Sequence, residues 1–416
     1  MPSGRSLIRL SPLPFSSLPP HPALEPAEPQ SADPDSSSSS SSSSRPQVQR
    51  PSLHTFLRSA LTEATALLST TANPDTFKPY KKKKNKPRPS PPSTAKVHLF
   101  TARLTPSSSS SSSDKQPNGE RSKGKGKKGE DELWICRHST HIDASDEPGT
   151  ASWEEFEAGL RGAGRHSENE MAYTPSVSRV ERLLEWEGIT RLEIDIAGNG
   201  DGGGTTGGGG GDGAKWTGIE MCVNIITHTF RPSILIAPRT FIVLIISAGL
   251  PPSPSSASTF TTPTTSSSSS SSTTSTKGFL TIQIPLSYSH TDPTIPPPLR
   301  EKIASSAPSK NAIFASYASV ERVVWLPPPP QPDEQHAGNN NGKKDKEKEK
   351  EKEGKGKAKD LSARGRIEWT MATTSDAGGS VPRWVQRSWT LGGVPRAVVA
   401  DVGLFLGWVA RRRKPS

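Results

Sequence analysis

The sequence predicts an α+β fold in which an antiparallel sheet precedes a long C-terminal helix, and three observations predict this class. Hydrophobic residues recur with a period of two in several segments, as they do in β-strands. Long inserts of low complexity fall between those segments, where a hairpin loop lengthens at modest entropic cost. The chain then ends in a hydrophobic stripe at helical spacing. The predicted strands are Arg191–Ile196, Ile219–Ile225, Thr240–Ser247, Phe279–Leu286, Ile313–Trp325 and Arg366–Ser375.

The composition limits how much of the chain is expected to fold. Of its 416 residues only 30% are hydrophobic, while 41 are proline and 35 are glycine. Segments of this kind bury too little apolar surface to offset the entropy of ordering them. We therefore expect one domain, at residues 132–412, and a disordered Pro/Ser-rich N-terminus at 1–50. Disordered inserts are predicted at 198–214, 251–277 and 327–364.

Between these parts, residues 51–131 are predicted to hold one helix and a basic low-complexity linker. Ser52 is a candidate N-cap, and hydrophobic residues follow it at helical spacing from Leu53 to Leu68. A short strand is expected at Lys96–Leu104 inside the linker. The helical stripe predicts packing against the domain.

Within the domain, a strand is predicted at Leu133–His141 and helices at three places. The sequence S-W-E-E from Ser152 is a capping box, which predicts a helix over Trp153–Leu160. Hydrophobic residues near one side predict a second helix at Ser178–Trp186. The C-terminal part is predicted to be helical from Ser380 as a cap, with Trp384, Val385 and Trp389 on one side. After an interruption at Gly392–Gly393 and Pro395, a stripe runs from Val394 to Val409, and Arg411–Lys414 follow it, where positive charge suits the helix dipole.

The net charge of +11 is concentrated in Lys-rich tracts at 81–84, 123–128 and 343–359, which contain almost no apolar residues. Such tracts are solvated linkers that also contact acidic membranes without specificity. Lys81–Arg88 has the composition of a nuclear import signal. Because no aromatic residues are interleaved to stack on bases, specific nucleic-acid binding is disfavoured.

The two cysteines, Cys136 and Cys222, are too few for a disulfide framework and predict a reducing compartment. The most apolar stretch, Ile225–Leu250, is interrupted by charged residues and prolines, so it does not predict a transmembrane helix. A cytoplasmic protein is expected, with the nucleus as the alternative through Lys81–Arg88. The sequence leaves the oligomeric state open.

Three segments of the chain resemble a known superfamily. Trp369–Val385 (WTMATTSDAGGSVPRWV) resembles the junction of last strand and terminal helix in START domains, the steroidogenic-acute-regulatory-related lipid-transfer domains. Ala237–Phe241 (APRTF) and Ala315–Val323 (ASYASVERV) are similar to two of their strands, although Thr240 stands where an aspartate is common. The combination resembles more closely an uncharacterised START-like family found in fungi, over residues 130–412 without the inserts.

This resemblance implies a helix-grip fold, in which a curved antiparallel sheet wraps the C-terminal helix and leaves an apolar tunnel. It implies binding, transfer or sensing of a lipid or another hydrophobic ligand, without catalysis and without a cofactor. Alternate residues of the sheet and one side of the helix are expected to line the tunnel. These candidate ligand-binding residues are Arg239, Phe241, Tyr317, Ser319, Glu321, Trp369, Met371, Thr373, Val398, Val402 and Phe405.

Two charged candidates allow a sharper hypothesis. Arg239 and Glu321 both occur in strand-like apolar surroundings, where an unpaired charge is costly. They are hypothesised to pair inside the tunnel and to hold the polar headgroup of a lipid. The alternative is that both charges lie at an edge of the sheet in water.

Other motifs carry no prediction of chemistry. Gly198, Gly200 and Gly203 match a dinucleotide-binding pattern, but no helix follows them. A zinc site is not predicted from the remaining cluster, because His141 faces away from Cys136 and His138 on a strand and no fourth ligand is near. Neither His228 nor His290 has an identifiable nucleophile as a partner.

Two alternatives to ligand binding stay open. One is an interaction or regulatory protein whose START-like core is filled and whose basic tails are functional. The other is a hydrolase or cyclase that uses the tunnel.

Overall fold

A computed structural model describes residues 6–25, 49–80, 86–105, 131–196, 214–230, 237–252, 277–307, 312–328 and 364–413. The predicted inserts at 198–214, 251–277 and 327–364 lie outside these residues apart from their end residues. The three Lys-rich tracts lie outside them as well. Within the described residues, no helix combines the length and the apolar character needed to cross a membrane.

The described strands form one large sheet whose neighbours are antiparallel, apart from a short parallel pairing of β10 with β8. The strands are β1 (Lys78–Pro79), β2 (Arg88–Pro89), β3 (Lys96–Leu104), β4 (Glu132–Ile142), β5 (Val177–Glu185), β6 (Ile194–Asp195), β7 (Lys215–His228), β8 (Arg239–Gly249), β9 (Gly278–Pro285), β10 (Ile313–Phe314), β11 (Ser316–Leu326) and β12 (Arg366–Asp376). Along the main path the order is β1-β3-β4-β12-β11-β9-β8-β7-β5. The mixed α and β class and the antiparallel sheet are confirmed.

Helices cover both faces of this sheet. The helices are α1 (Leu53–Thr71), α2 (Trp153–Leu160), α3 (Ala163–Tyr173), α4 (Pro297–Ser306), α5 (Arg383–Gln386) and α6 (Val394–Arg413). We call the face that contacts α2, α3 and α6 the inner face, and the face that contacts α1 and α4 the outer face. The predicted N-cap of α1 is confirmed, because the Ser52 hydroxyl accepts a hydrogen bond from the amide of Thr55. The capping box of α2 is confirmed as well, because the Ser152 hydroxyl accepts from the amide of Glu155 and the Glu155 side chain accepts from the amide of Ser152.

The outer face is closed by α1 and by the N-terminal segment Ser6–Glu25. The hydrophobic stripe of α1 is buried against the sheet, as predicted. The N-terminal segment was expected to be disordered, and this expectation is wrong for residues 6–25. Leu13, Phe15 and Leu18 are buried there, and the backbone of Leu13 bonds to Pro285 and Ser287 beside β9. Proline prevents a long helix but leaves these apolar side chains free to pack.

Two further predictions about the elements are corrected. The helix predicted at Ser178–Trp186 is the strand β5, which pairs with β7. Its pairing register shifts twice, between Val177 and Arg179 and between Arg182 and Leu184. Each shift interrupts strict alternation, so the hydrophobic residues imitate helical spacing. The sheet also includes β3, and the folded unit therefore extends upstream of residue 132.

The two ends of the sheet differ. The links from β6 to β7, from β8 to β9 and from β11 to β12 all leave the sheet at one end, where Gly249 pairs with Phe279 and Leu326 pairs with Arg366. We call this the insert end. The link from β12 to α6 starts at Asp376, at the opposite end, which we call the connection end. The two ends therefore present different chain segments to the surroundings.

Candidate functional site

A row of mostly polar side chains crosses the inner face. Strand pairing places six residues side by side on six neighbouring strands, from β4 through β12, β11, β9 and β8 to β7. They are Arg137, Met371, Glu321, Thr281, Ser247 and Glu220. Polar groups in a buried row need partners, because each unpaired buried group loses its hydrogen bonds with water.

The middle of the row holds a buried ion pair. Arg137 Nη2 lies 2.9 Å from Glu321 Oε1, and the two side chains are 1% and 7% exposed. Trp369 Nε1 donates to the same carboxylate oxygen at 2.6 Å. The guanidinium carbon of Arg137 is 3.9 Å from the centroid of the Trp369 ring. Together these contacts hold a cation and an anion in a place where neither would be stable alone.

Several polar atoms around the pair are left without partners. Within the part of the chain that the structure describes, Nε and Nη1 of Arg137 and Oγ1 of Thr281 are buried and make no hydrogen bond. Thr281 lies directly beside Glu321 in the strand pairing. A native protein rarely buries several unpartnered donors in one place. The arrangement therefore has free donors where another molecule can accept hydrogen bonds.

Two carboxyl groups approach the row from the helices. Tyr173 of α3 packs against Phe405 and Trp408 of α6, with each pair of ring centroids 5.8 Å apart. Glu170 precedes Tyr173 by three residues, and Asp401 precedes Phe405 by four, so both carboxyl groups lie one turn from this contact. α3 and α6 thus bring Glu170 and Asp401 together.

The charges of the ion pair affect the pKa values of these carboxyl groups, so both groups lie near the pair. Burial is the main cause that raises the pKa of Glu170 to about 8, and the negative charges of Asp401 and Glu321 contribute to this rise. Burial raises the pKa of Asp401 to about 6, an effect that Arg137 opposes and Glu321 reinforces. Yet both residues are only half-buried. Each carboxyl group therefore lies among protein atoms and still retains some accessible surface.

Further side chains of the inner face retain accessible surface. Tyr317 and Met371 are half-buried on the inner face, and burial raises the pKa of the Tyr317 hydroxyl well above its ordinary value. The Tyr317 ring contacts Phe241, with centroids 5.1 Å apart.

At the connection end, Ile135 and Thr373 of the inner face line a cleft of about 60 Å³ beneath the segment that contains α5. That cleft alone holds water rather than an acyl chain.

Most of the predicted sheet residues share the inner face. Phe241, Tyr317, Ser319, Glu321, Trp369, Met371 and Thr373 lie there on β8, β11 and β12. Ser319 Oγ bonds to Gln283 Oε1, and Thr373 Oγ1 donates to the carbonyl of Ala318 at 3.0 Å. Whether they touch a ligand stays a prediction.

The predicted helix residues occupy a packed part of the interior. Val398, Val402 and Phe405 are 4%, 0% and 0% exposed. Phe405 contacts Phe156 and Trp369, with ring centroids 5.1 and 5.4 Å apart. These rings fill the inner face beside α2. On α6, Asp401 and Leu404 retain accessible surface instead.

The hypothesised pair of Arg239 and Glu321 is wrong. Arg239 Nε donates to the carbonyl of Ala377 at 2.7 Å, and Nη1 donates to the carbonyl of Ala237. Arg239 begins β8 at the connection end, whereas the row that contains Glu321 crosses β8 at Ser247. Eight residues of strand separate the two positions, or roughly 26 Å. Arg239 ties β8 to the connection instead.

The sequence interpretation missed Arg137, Glu170 and Asp401. Arg137 was visible as a charge at an inward position of a predicted strand. Asp401 was visible as the one acid in the hydrophobic stripe of the terminal helix. Glu170 had no such signal, because α3 was not predicted as a helix. Among the residues described, no group of His, Cys, Asp and Glu is arranged to hold a metal ion.

A family model described as "Protein of unknown function (DUF3074)" matches residues 134–409. The chain belongs to this family. The matched range of the DUF3074 domain runs from β4 to α6 and so includes the row, the ion pair and both carboxyl groups. No curated protein matches the chain. Among solved structures, human StAR-related lipid transfer protein 5 is similar, at 10% identity and a TM-score of 0.38, over 86% of this chain and 99% of that chain. At this level of similarity the two structures need not share a ligand.

Proposed function

We propose that this DUF3074 domain binds a hydrophobic ligand, without catalysis, between the inner face and helices α3 and α6. In this proposal the sheet wraps α6 as a helix-grip, and the apolar part of the ligand lies against the inner face. The polar end lies at Arg137, Glu321 and Thr281. The observation that carries the proposal is the unpartnered Nε and Nη1 of Arg137, beside the half-buried Met371 on the neighbouring strand of the inner face.

The charges around Arg137 favour a hydroxyl group at the polar end of the ligand. The Arg137 guanidinium pairs with Glu321 and interacts with Asp401, and Glu170 lies close enough to both of these carboxyl groups to interact with them. A carboxylate or phosphate would add negative charge to a site that already has an excess of acids. A hydroxyl oxygen accepts from Arg137, and its own proton is donated to a carboxylate. It therefore satisfies the free donors without adding charge.

The apolar part of such a ligand would provide most of the binding free energy. Burial of about 400 Å² of apolar surface contributes roughly 10 kcal/mol at about 25 cal/mol per Å², before translational freedom is lost. This leaves room for micromolar binding. The polar contacts would then set selectivity more than affinity.

A matched pair of ligands tests this proposal. We expect the full chain to bind hexadecanol at least tenfold more tightly than hexadecanoic acid at neutral pH, measured by isothermal titration or by displacement of a fluorescent fatty alcohol. Thr281→Val keeps the shape of the side chain and removes one unpartnered hydroxyl, so the variant should fold and lose part of this preference. Arg137→Met removes the donors that the hydroxyl accepts from, so it should weaken hexadecanol binding, while the preference over the acid persists because the carboxyl groups remain.

Arg322→Met is the control, since Arg322 follows Glu321 on β11 and faces the opposite side of the sheet. Mass spectrometry of molecules that co-purify with the chain provides an independent result. A recurrent hydroxyl-bearing lipid supports the proposal. An empty protein that binds neither probe contradicts it and favours the alternative of a filled core, for which the aromatic contacts of Phe405 are the supporting observation.

A further inference from the structure

The connection from β12 to α6 exposes large hydrophobic side chains. Trp384 is 66% exposed and Leu391 is 56% exposed. They are the two most exposed large hydrophobic residues in the described part of the chain, and only seven positions separate them. An exposed tryptophan next to an exposed leucine is an unusual surface for a soluble protein unless it contacts something.

Basic residues surround these two side chains. Between Ala377 and Arg396 the sequence contains three arginines, Arg383, Arg387 and Arg396, and no acid. Arg88 adds a fourth cation, since its guanidinium carbon lies 4.7 Å from the centroid of the Trp389 ring in the same connection. The nearest acid along the chain, Asp376, lies 3.9 Å from Arg383. The connection therefore combines exposed apolar side chains with an excess of positive charge.

Hydrogen bonds hold the connection in a defined shape. The Gln386 side chain accepts from the amide of Ala377 at 3.0 Å and donates to the carbonyl of Val381 at 3.1 Å. The amide of Gly393 donates to the carbonyl of Ser388 at 2.8 Å. Arg239 also donates to Ala377, as described above. Trp384 is thus presented by a fixed turn, so its exposure is built into the fold.

We infer that this connection, which we call the docking loop (residues 377–393), is the surface by which the protein contacts an anionic lipid bilayer. Tryptophan prefers the boundary between headgroups and acyl chains, and leucine adds apolar area that is buried there. Each arginine near an anionic leaflet adds electrostatic attraction. A bilayer suits this combination because exposed apolar side chains and arginines lie together in one short connection that contains no acid, and an anionic leaflet offers both an apolar interior and a negative surface.

The position of the docking loop relates the bilayer contact to ligand exchange, because the loop lies next to a cleft. The cleft lined by Ile135 and Thr373 of the inner face lies next to the loop, and Gln386 and Arg387 of the loop form another part of its wall. A hydrophobic ligand that enters or leaves there would pass directly between protein and bilayer. This last step rests on the proposed function, whereas the bilayer contact does not.

Vesicle co-sedimentation with the full chain tests the inference. We expect the chain to bind vesicles of phosphatidylcholine and phosphatidylserine, and Trp384→Ser/Leu391→Ser to weaken this binding by roughly tenfold or more. Arg387→Gln/Arg396→Gln should weaken it by a similar factor and should reduce its dependence on salt. Met171→Ser is the control, because Met171 is 43% exposed on α3, on another surface.

The Lys-rich tracts are present in every variant, so differences between variants report on the docking loop alone. Unchanged vesicle binding by Trp384→Ser/Leu391→Ser would overturn the inference, and so would equal weakening by Met171→Ser. The same variants are titrated with hexadecanol in the absence of vesicles. Loss of vesicle binding with retained alcohol binding supports the docking loop. Vesicle binding by a chain that takes up no alcohol would leave the docking loop standing and contradict only the proposed function.

Discussion

At the scale of single residues, Glu170 links the site to the stability of the fold. Its pKa is raised from 4.5 to about 8, chiefly by burial. The folded state therefore holds the proton more tightly than the unfolded state does. This contribution is complete below pH 4.5 and is lost as the pH rises through about 8. The buried carboxyl group thus favours the folded state in mild acid and disfavours it in mild alkali.

Glu170→Gln is expected to remove this dependence, because glutamine stays neutral at every pH. The variant should be more stable than the natural chain at pH 8 by on the order of 1–3 kcal/mol, and little different at pH 5. Urea denaturation at the two pH values measures both differences. Glu168→Gln serves as the control, since Glu168 lies on the same helix and is exposed. The same pH dependence in the variant and the natural chain would contradict this account.

The residue scale also shows how far the sequence can predict the site. Period-two alternation places Tyr317, Ser319 and Glu321 on one face without knowledge of any other strand. The partner of Glu321 could not be found in this way. Which arginine meets it depends on how β4, β12 and β11 align, and that register follows from tertiary packing. The hypothesis chose Arg239 for its apolar surroundings, whereas the pairing brings Arg137.

At the scale of elements, α6 is held close to the loop between β2 and β3. Ser90 Oγ donates to the carbonyl of Val399 at 2.5 Å and accepts from the amide of Gly403 at 2.8 Å. A Cβ atom on Gly403 would lie 2.2 Å from the carbonyl oxygen of Pro91, which is backbone and cannot easily move. Gly403 is therefore needed for this close approach.

Gly403→Ala is expected to lower the melting temperature by several degrees, since α6 or the loop would have to shift. Gly407→Ala is the matched control, because a Cβ atom there meets Pro92 at an ordinary 3.5 Å. Alanine is the better helix former by about 1 kcal/mol, so Gly407→Ala should keep or raise the melting temperature. Scanning calorimetry compares the two variants. Equal melting temperatures would show that α6 does not depend on this contact.

The elements themselves were predictable where local signals were strong. The capping box at Ser152 and the stripe of α6 mark two helices from a few residues each. The docking loop was expected to hold a helix that starts near Trp384. The structure has a single helical turn, Arg383–Gln386. A bend follows it, and the hydrogen bond from the Gly393 amide to the Ser388 carbonyl fixes that bend. Exposure of Trp384 was not predictable, because a helical stripe normally indicates packing.

At the scale of the whole molecule, the N-terminal segment completes the outer core. Phe15 is fully buried in the same cluster as Phe56 and Leu57 of α1. Arg50 Nη1 donates to the Phe15 carbonyl at 2.6 Å and so joins the segment to the residues ahead of α1. Composition alone placed this segment in the disordered class, because proline and serine outnumber the few apolar residues that anchor it.

Phe15→Ala is expected to destabilise the protein by about 3–5 kcal/mol, as for other large aromatic residues removed from a core. Ser11→Ala, at an exposed position of the same segment, should change stability little. Denaturation in urea with fluorescence detection measures both variants. A loss in Phe15→Ala no greater than that in Ser11→Ala would mean that the segment does not support the fold.

The insert end has a consequence for the continuity of the chain. The link between β11 and β12 spans residues 327–365, yet these two strands are paired at eleven successive positions, from Ser316 with Asp376 to Leu326 with Arg366. If a protease severed the link, backbone hydrogen bonds and the contacts of α6 would still hold the two fragments together. The covalent link there is thus dispensable once the strands have met, and the C-terminal fragment would carry the docking loop, Trp369 and Asp401 as one unit.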